Sequence, residues 1–394
     1  MNITIMPDKL RGHIEVIPSK SQAHRYLICA ALSASPTEII CPAVNEDMEA
    51  TCNCLRALNA QIESTPKGYL VTPITQLPKE ATLNCGESGS TLRFLLPVVG
   101  ALGVNATFCL SGRLPQRPLS PLWEEMERMG CTLSRPTADT IYCTGQLQSG
   151  QYTIPGNISS QYISGLLLCF PLLKEGGNLQ ITSPLESSPY VSMTQRAMER
   201  FGVNSDNYQV AGNQKYHSPG KILVEGDWSN GAFFLAANEL GSEIELFNLD
   251  IQSPQGDKEI TQLLPLLRED YVTIDATQIP DLVPILSVVA ACKHGACFTG
   301  IQRLRLKESD RVASTIKMIE NLGGKASANE HSMQIQGTGL IGGTVNSYRD
   351  HRIAMAAAVA ATACRETVTI LGADCVAKSY PGFWKDYHQA GGKL

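Results

Sequence analysis

The chain has no Cys-x-x-Cys pair, although it carries 13 cysteines. An odd number of cysteines scattered through apolar stretches reads as reduced, buried thiols in a cytoplasm, and the missing motif argues against a zinc site. No apolar run reaches the roughly 18 residues a membrane span needs; Ile163–Leu173 is too short and is interrupted by Pro171. The start, Met1-Asn-Ile-Thr-Ile, lacks the order of a secretory signal and the Arg/Ser-rich character of a transit segment, so no targeting segment is expected. Basic residues are in deficit: the net charge of −5 disfavours non-specific nucleic-acid binding. Low-complexity linkers are absent too. What remains is the composition of a globular protein, 43% hydrophobic and 18% charged, long enough at 394 residues for two domains with substantial cores.

Six helical patterns, each closed by a small or turn residue, recur at steps of 55–72 residues: Leu55–Leu58–Asn59, Met126–Met129–Gly130, Met198–Phe201–Gly202, Leu264–Leu267–Arg268, Ile319–Leu322–Gly323 and Tyr387–Ala390–Gly391. Apolar residues three or four apart before a turn mark a helix end, and a recurring unit of this length implies internal repetition. Two domains of three units each is the simplest partition. Ile3–Ile5 and His13–Ile17 alternate like strands, a helix follows over Ser21–Leu32, and Glu243–Leu246, Tyr271–Ile274 and Thr367–Ile370 are further β-like runs. The polar stretch Asn204–Lys221 is the best boundary, before a helix over Trp228–Ala237.

Five places share one design, a polar turn that opens into an apolar helix, and four of them carry a cation. Pro18-Ser-Lys20-Ser21-Gln-Ala-His-Arg25 sets Ser21 and Arg25 on one face, beside the free N–H groups of a first turn, which suits a phosphate or carboxylate. Cys85-Gly-Glu87-Ser88-Gly89-Ser90-Thr91-Leu92-Arg93 uses glycines for close backbone approach, but its ending is not that of a P-loop. Ile158-Ser159-Ser160-Gln161 offers two hydroxyls and an amide to a polyhydroxylated ligand. Lys307 and Arg311 share a face, with Glu308 beside a cation. In Tyr348-Arg-Asp350-His351-Arg352, Asp350 suits an N-cap, yet His351 and Arg352 add positive charge where the helix dipole is already positive. An anion at that helix start would reverse the sign.

Two loops complete the set: Ser111-Gly-Arg113-Leu-Pro-Gln-Arg117-Pro118 and Ala377-Lys378-Ser-Tyr-Pro381. Lys20, Arg25, Arg93, Arg113, Arg117, Lys307, Arg311, Arg352 and Lys378 are thus cations concentrated at turn–helix junctions of an acidic chain. Small, multiply anionic ligands are implied.

These segments, in this order, resemble the 5-enolpyruvylshikimate-3-phosphate synthase family of enolpyruvyl transferases, the 3-phosphoshikimate 1-carboxyvinyltransferases. The resemblance rests on Pro18-Ser-Lys-Ser-x-x-x-Arg25, Gly86–Arg93, Arg113-x-x-x-Arg117-Pro, Ser159-Ser-Gln161, Ser187-x-x-Tyr190, Ile279-Pro-Asp281, Arg305-x-Lys-Glu-Ser-Asp-Arg311, Asp350-His-Arg352 and Ala377-Lys378. It implies an α/β (α+β) fold of two similar domains, each of three βαβαββ units in an inside-out barrel, with the ligands in the cleft between them. The chain would start in one domain (1–16 and 225–394), cross to the other (17–224) and return. The implied activity transfers the enolpyruvyl group of phosphoenolpyruvate to the 5-hydroxyl of shikimate 3-phosphate and releases phosphate, a step toward chorismate and the aromatic amino acids. No metal or organic cofactor is expected. A cytoplasmic monomer, acting on small molecules and not on nucleic acid or membrane, is the expected form, and the family is the target of glyphosate.

By this resemblance Asp281 holds the shikimate hydroxyls and takes a proton, Glu308 donates one, and Lys20 lies between the substrates. Shikimate 3-phosphate would be bound by Lys20, Ser21, Arg25, Ser159, Ser160, Gln161, Ser187, Tyr190, Asp281 and Lys307. Phosphoenolpyruvate would be bound by Lys20, Gly89, Arg93, Arg113, Gln161, Arg311, Arg352 and Lys378. Two positions depart from the family's habit: Glu87 stands where a neutral asparagine is frequent, and Arg303 where an asparagine touches shikimate. The related transferase that acts on UDP-N-acetylglucosamine carries Lys-Asn in place of Lys20-Ser21, and a catalytic cysteine in the loop matching Ser111–Pro118, where this chain has none.

Overall fold

The computed structural model describes all residues, Met1–Leu394, and the chain divides into two compact units. One joins Met1–Ile17 to Glu225–Leu394; the other is Pro18–Val224. Ile17, expected in the second unit, belongs to the first, where its carbonyl accepts the backbone N–H of Asp227.

Twelve helices run through the chain: α1 Lys20–Ala31, α2 Glu46–Ala57, α3 Gly89–Leu102, α4 Leu122–Arg128, α5 Ser160–Cys169, α6 Ser188–Arg200, α7 Trp228–Glu239, α8 Ile260–Glu269, α9 Val283–Cys292, α10 Arg311–Asn321, α11 His351–Ala361 and α12 Phe383–Gln389. They alternate in character. The odd-numbered helices are buried along almost their whole length, α11 completely, and apart from α1, whose first half carries Lys20, Gln22, His24 and Arg25, they are largely apolar. Longer even-numbered helices bury one stripe, such as Ile260, Leu263, Leu264 and Leu267 of α8, and turn polar residues to water. In the first unit α7, α9 and α11 touch one another; in the second α3 packs on α5, while α2 and α6 tie α1 to that pair. Gly165 permits the α3–α5 approach, because a Cβ there would stand 2.2 Å from the carbonyl oxygen of Arg93.

Sheets cover these helices, and their strands alternate between buried and less buried residues, as in Asn105–Leu110 and Ser332–Gln336. Two sheets have the same plan. Strand Glu80–Gly86 leads through α3 to its parallel neighbour Asn105–Leu110, then α4 leads to the antiparallel hairpin Cys131–Ser134 and Thr140–Gly145. Val272–Asp275, α9, Gly295–Thr299, α10 and the hairpin Lys325–Ala328/Ser332–Gln336 repeat it. A third copy takes its first strand, Lys221–Leu223, from the far end of its unit. The remaining three repeats are shortened: two have a single terminal strand, and the sheet of Arg11–Glu15 and Glu243–Phe247 has no hairpin. Asn2–Ile5 closes the last repeat by pairing with Val368–Leu371, so both chain ends build the first unit.

Five of the six expected helix ends are followed by a residue at positive φ, namely Asn59, Gly130, Gly202, Gly323 and Gly391. The fourth is a correction. Arg268 is still inside α8, which ends in extended backbone at Asp270. The helix expected at Ser21–Leu32 is Lys20–Ala31, and that at Trp228–Ala237 runs on to Glu239.

Candidate active site

In the first unit the functional side chains gather around Arg311, at the first position of α10. The helix is capped by Asp310, which accepts the N–H of Ala313 at 3.1 Å. Only 1% of Arg311's side chain is exposed, and it donates to three carboxylates: Nε to Asp350 at 2.9 Å, Nη1 to Asp281 at 2.6 Å and Nη2 to Glu308 at 2.6 Å. Asp281 also accepts from Arg352 Nη2 at 3.0 Å and lies 3.6 Å from Lys307 Nζ. Such multiple charge-assisted bonds fix each group's direction as well as its charge.

These contacts set the ionisation of the site. Burial alone would raise the Asp281 carboxyl, but Arg352, Lys307 and Arg311 overcome it and hold the group well below the ordinary carboxylate range. Desolvation draws the Lys307 ammonium down to about 8, against the pull of Asp281, with Arg311 and Arg303 adding to the lowering. Arg303 thus acts on Lys307 as a neighbouring charge. Asp257, fully buried and hydrogen-bonded by the Ser229 hydroxyl, is raised to about 6 by desolvation and by the Asp281 charge.

The helix start that carries His351 and Arg352 has the anion its charge demands, and the protein supplies it. Asp350 caps α11 by accepting the N–H of Arg352 at 3.0 Å, while Asp281 takes the guanidinium. Lys378 is buried at the end of the short turn Ala373–Lys378.

The second unit places its residues at the starts of α1, α3, α5 and α6. Lys20 opens α1, with Nζ 2.9 Å from Asp47 Oδ2 of α2. Arg25 lies one turn further into α1 and is 2% exposed; its guanidinium turns inward, donating to Thr194 Oγ1 at 2.7 Å, the carbonyls of Ser21 at 2.5 Å and Tyr190 at 2.8 Å, and Ser164 Oγ at 3.4 Å. Phe94 lies under it with its centroid 4.9 Å away. Ser187, buried at the start of α6, holds φ +55°, a conformation costly for serine.

Gln161 joins two of the predicted segments. Its Oε1 accepts from Arg93 Nη1 at 2.8 Å and its Nε2 donates to Ser90 Oγ at 2.9 Å. Ser159 caps α5 through the N–H of Gln161, and Ser160 behind it is buried. At Gly89 an added Cβ would stand 2.8 Å from the guanidinium nitrogens of both Arg93 and Arg117, so the bare backbone there faces two cations. Arg113 is exposed. Glu87 crosses to Gly112, occupying the space that a Cβ on that residue would need. Sequence reading missed Asp47 as the partner of Lys20, the Thr194–Ser164 cradle of Arg25, and Asp257. Only the four-residue phase of Asp47 and Thr51 on α2, matching Lys20 and His24 on α1, hinted at any of these. No group of three or more His, Cys, Asp or Glu residues is arranged to hold a metal ion.

Comparison with known proteins agrees along the whole chain. The family model described as EPSP synthase (3-phosphoshikimate 1-carboxyvinyltransferase) matches residues 5–387. Proteins named 3-phosphoshikimate 1-carboxyvinyltransferase from Clostridium perfringens and Clostridium acetobutylicum are each 39% identical, over 100% of this chain and 99% and 98% of theirs. Among solved structures, an EPSP synthase from Acinetobacter baumannii superposes with a TM-score of 0.82 at 23% identity, covering 99% of this chain and 98% of that one. The enolpyruvyl transferase NikO from Streptomyces tendae reaches 0.77 at 17%, covering 99% and 97%. At these identities the two structures speak for the fold alone.

Proposed function

The chain belongs to the EPSP synthase family, and on that premise we propose how its own residues divide the work. Its reaction is the enolpyruvyl transfer of 3-phosphoshikimate 1-carboxyvinyltransferase, in the shikimate pathway. Shikimate 3-phosphate takes Lys20, Ser21, Arg25, Ser159, Ser160, Gln161, Ser187, Tyr190, Asp281 and Lys307 as ligands. Phosphoenolpyruvate takes Lys20, Gly89, Arg93, Arg113, Gln161, Arg311, Arg352 and Lys378. As the 5-hydroxyl oxygen bonds to C2 of phosphoenolpyruvate, Asp281 accepts its proton and Glu308 protonates the C3 methylene. A tetrahedral ketal phosphate results. Loss of a proton from the new methyl group to the Glu308 carboxylate, with cleavage of the C–O bond to phosphate and return of the Asp281 proton to the departing phosphate, then leaves the enol ether.

The observation that carries this assignment is Arg311, one buried guanidinium 2.6 Å from both the proposed base and the proposed acid. It also suggests timing. The carboxylate and phosphate of phosphoenolpyruvate compete with Asp281 for Arg311 and Arg352, so binding raises the proton affinity of Asp281 when a base is needed. We read the protein as a cytoplasmic monomer that acts on small molecules and not on nucleic acid or membrane; no helix is long and apolar enough to cross a membrane. The deciding experiment measures phosphate release from phosphoenolpyruvate with shikimate 3-phosphate or UDP-N-acetylglucosamine as acceptor. Release is expected with the first alone, and release only with the second would overturn the assignment.

A further inference from the structure

A line of buried side-chain hydrogen bonds crosses three helices of the second unit. α1 and α2 face each other through two rungs one turn apart: the Lys20–Asp47 ion pair at 2.9 Å, and His24 Nδ1 to Thr51 Oγ1 at 2.7 Å. Thr51 Oγ1 continues to Thr91 Oγ1 on α3 at 2.7 Å. The Thr91 hydroxyl lies 2.7 Å from Ser88 Oγ and 3.4 Å from the carbonyl of Asp47, and can donate to either. Ser88 is the N-cap of α3, and its Oγ accepts the Thr91 N–H at 3.2 Å. His24, Thr51, Thr91 and Ser88 are all fully buried.

We propose that His24, Thr51 and Thr91 are positioning residues that orient the Ser88–Gly89 turn, and through it the phosphoenolpyruvate half of the site. This rests on the assignment of Gly89 and Arg93 made above. Each hydroxyl has one proton to give and two lone pairs, so in a continuous line the direction of one bond constrains the next. Burial draws the His24 imidazole down to about 3, leaving it neutral with one N–H. Its Nε2 has no hydrogen-bond partner, so Nδ1 is the ring's polar contact with the protein. An apolar core could pack these helices as well, since replacing both partners of a buried hydrogen bond by apolar groups can be nearly neutral. What the line adds is orientation, and it ends at the residue before Gly89.

Steady-state kinetics on the full-length enzyme, with thermal unfolding alongside, test this. Thr51→Val is close to isosteric and removes the middle hydroxyl. It should raise KM for phosphoenolpyruvate about tenfold, while kcat and KM for shikimate 3-phosphate stay within about threefold. Thr51→Ser should restore wild-type values, and the double variant with Thr91→Val should be no worse than the poorer single variant. Unchanged KM with a lowered melting temperature, failure of Thr51→Ser to restore, or fully multiplicative effects would each overturn the proposal. Should Thr51→Val not fold, His24→Asn, which keeps a polar atom near the Nδ1 position, and His24→Leu serve instead. The first is expected within about threefold of wild type and the second about tenfold higher in the same KM, and equal values overturn the proposal. Arg93→Ala separates the two levels: if it raises this KM and Thr51→Val does not, the relay fails and the site assignment stands. A wild-type enzyme that transfers nothing to shikimate 3-phosphate overturns both.

Discussion

Two guanidiniums of the second unit are held differently from the site cations of the first. In the first, Lys307, Arg311 and Arg352 are matched by three carboxylates, Asp281, Glu308 and Asp350. In the second, Arg25 is gripped by hydroxyls, carbonyls and an aromatic ring, and Arg93 donates to the amide of Gln161 and the carbonyl of Pro118. Lys20, paired with Asp47, follows the first pattern inside the second unit. A carboxylate cancels charge and can be displaced from a guanidinium by an incoming anion. A neutral acceptor fixes direction and leaves the charge for the ligand. The first arrangement suits groups that must change partners during a reaction, the second groups that must already be aimed.

Removing the exchangeable carboxylates should have the largest effect. Asp281→Ala and Glu308→Ala are each expected to lower kcat by about 10²–10⁴-fold, with much smaller changes in KM. Near-normal turnover in a folded variant would show that its carboxylate is only a counter-ion. Arg352→Ala comes next, raising KM for phosphoenolpyruvate by about 10- to 100-fold; an effect confined to shikimate 3-phosphate would break the division between the ligands. Arg25→Lys probes the other pattern, because an ammonium cannot reach acceptors spread around a planar guanidinium. It should cost about 1–3 kcal/mol of stability in denaturant unfolding.

Lys307 gives the comparison a pH axis. Its folded value of about 8 lies below the ordinary 10.5. Between those values the native ammonium is already deprotonated while the unfolded one is still charged. The unfolded state therefore binds more protons, and stability from this group rises with pH across the window. Shikimate 3-phosphate binding should move the other way, weakening as pH passes 8, and Lys307→Arg should abolish both trends. Titrations of affinity and of unfolding midpoint from pH 7 to 10 would settle this. A flat affinity profile would remove Lys307 from the ligands of shikimate 3-phosphate.

The smallest change is expected at Gly89. A methyl group there meets the far ends of Arg93 and Arg117, flexible atoms that can give way, so Gly89→Ala should sit near the lower end of the ~1–3 kcal/mol typical of overpacking. A several-fold rise in KM for phosphoenolpyruvate and a larger rise in the inhibition constant of glyphosate, the longer occupant, are expected. Parallel changes in the two would place Gly89 outside the pocket.

Much of this was legible locally. Asn59, Gly130, Gly202, Gly323 and Gly391 announce helix ends because a residue that readily takes positive φ follows an apolar periodicity. Arg268 mimicked that signal only in spacing, and α8 simply continues through it. Gln161 and Arg352 could be singled out because polar or charged groups at the mouth of an apolar helix are unexpected unless something binds there, Gly89 because a glycine before a helix lets a ligand approach the backbone, and Arg311 because it shares a face with Lys307. Their partners were not legible. Asp47 lies 27 positions from Lys20, Thr194 lies 169 from Arg25, and Asp281 lies 71 from Arg352. No periodicity relates residues so far apart.

By itself the sequence determined the repeating plan and the cations at the helix starts, since each depends on neighbours within a turn or two. Tertiary structure alone decided that Asn2–Ile5 closes the sheet of Val368–Leu371, that Arg25 turns inward, and that Asp281 supplies the anion which the start of α11 requires. Those outcomes depend on which buried charge finds which acceptor once the helices have packed. A desolvated charge left unmatched costs too much for the fold to tolerate, and that balance is struck in three dimensions, between segments the chain keeps far apart.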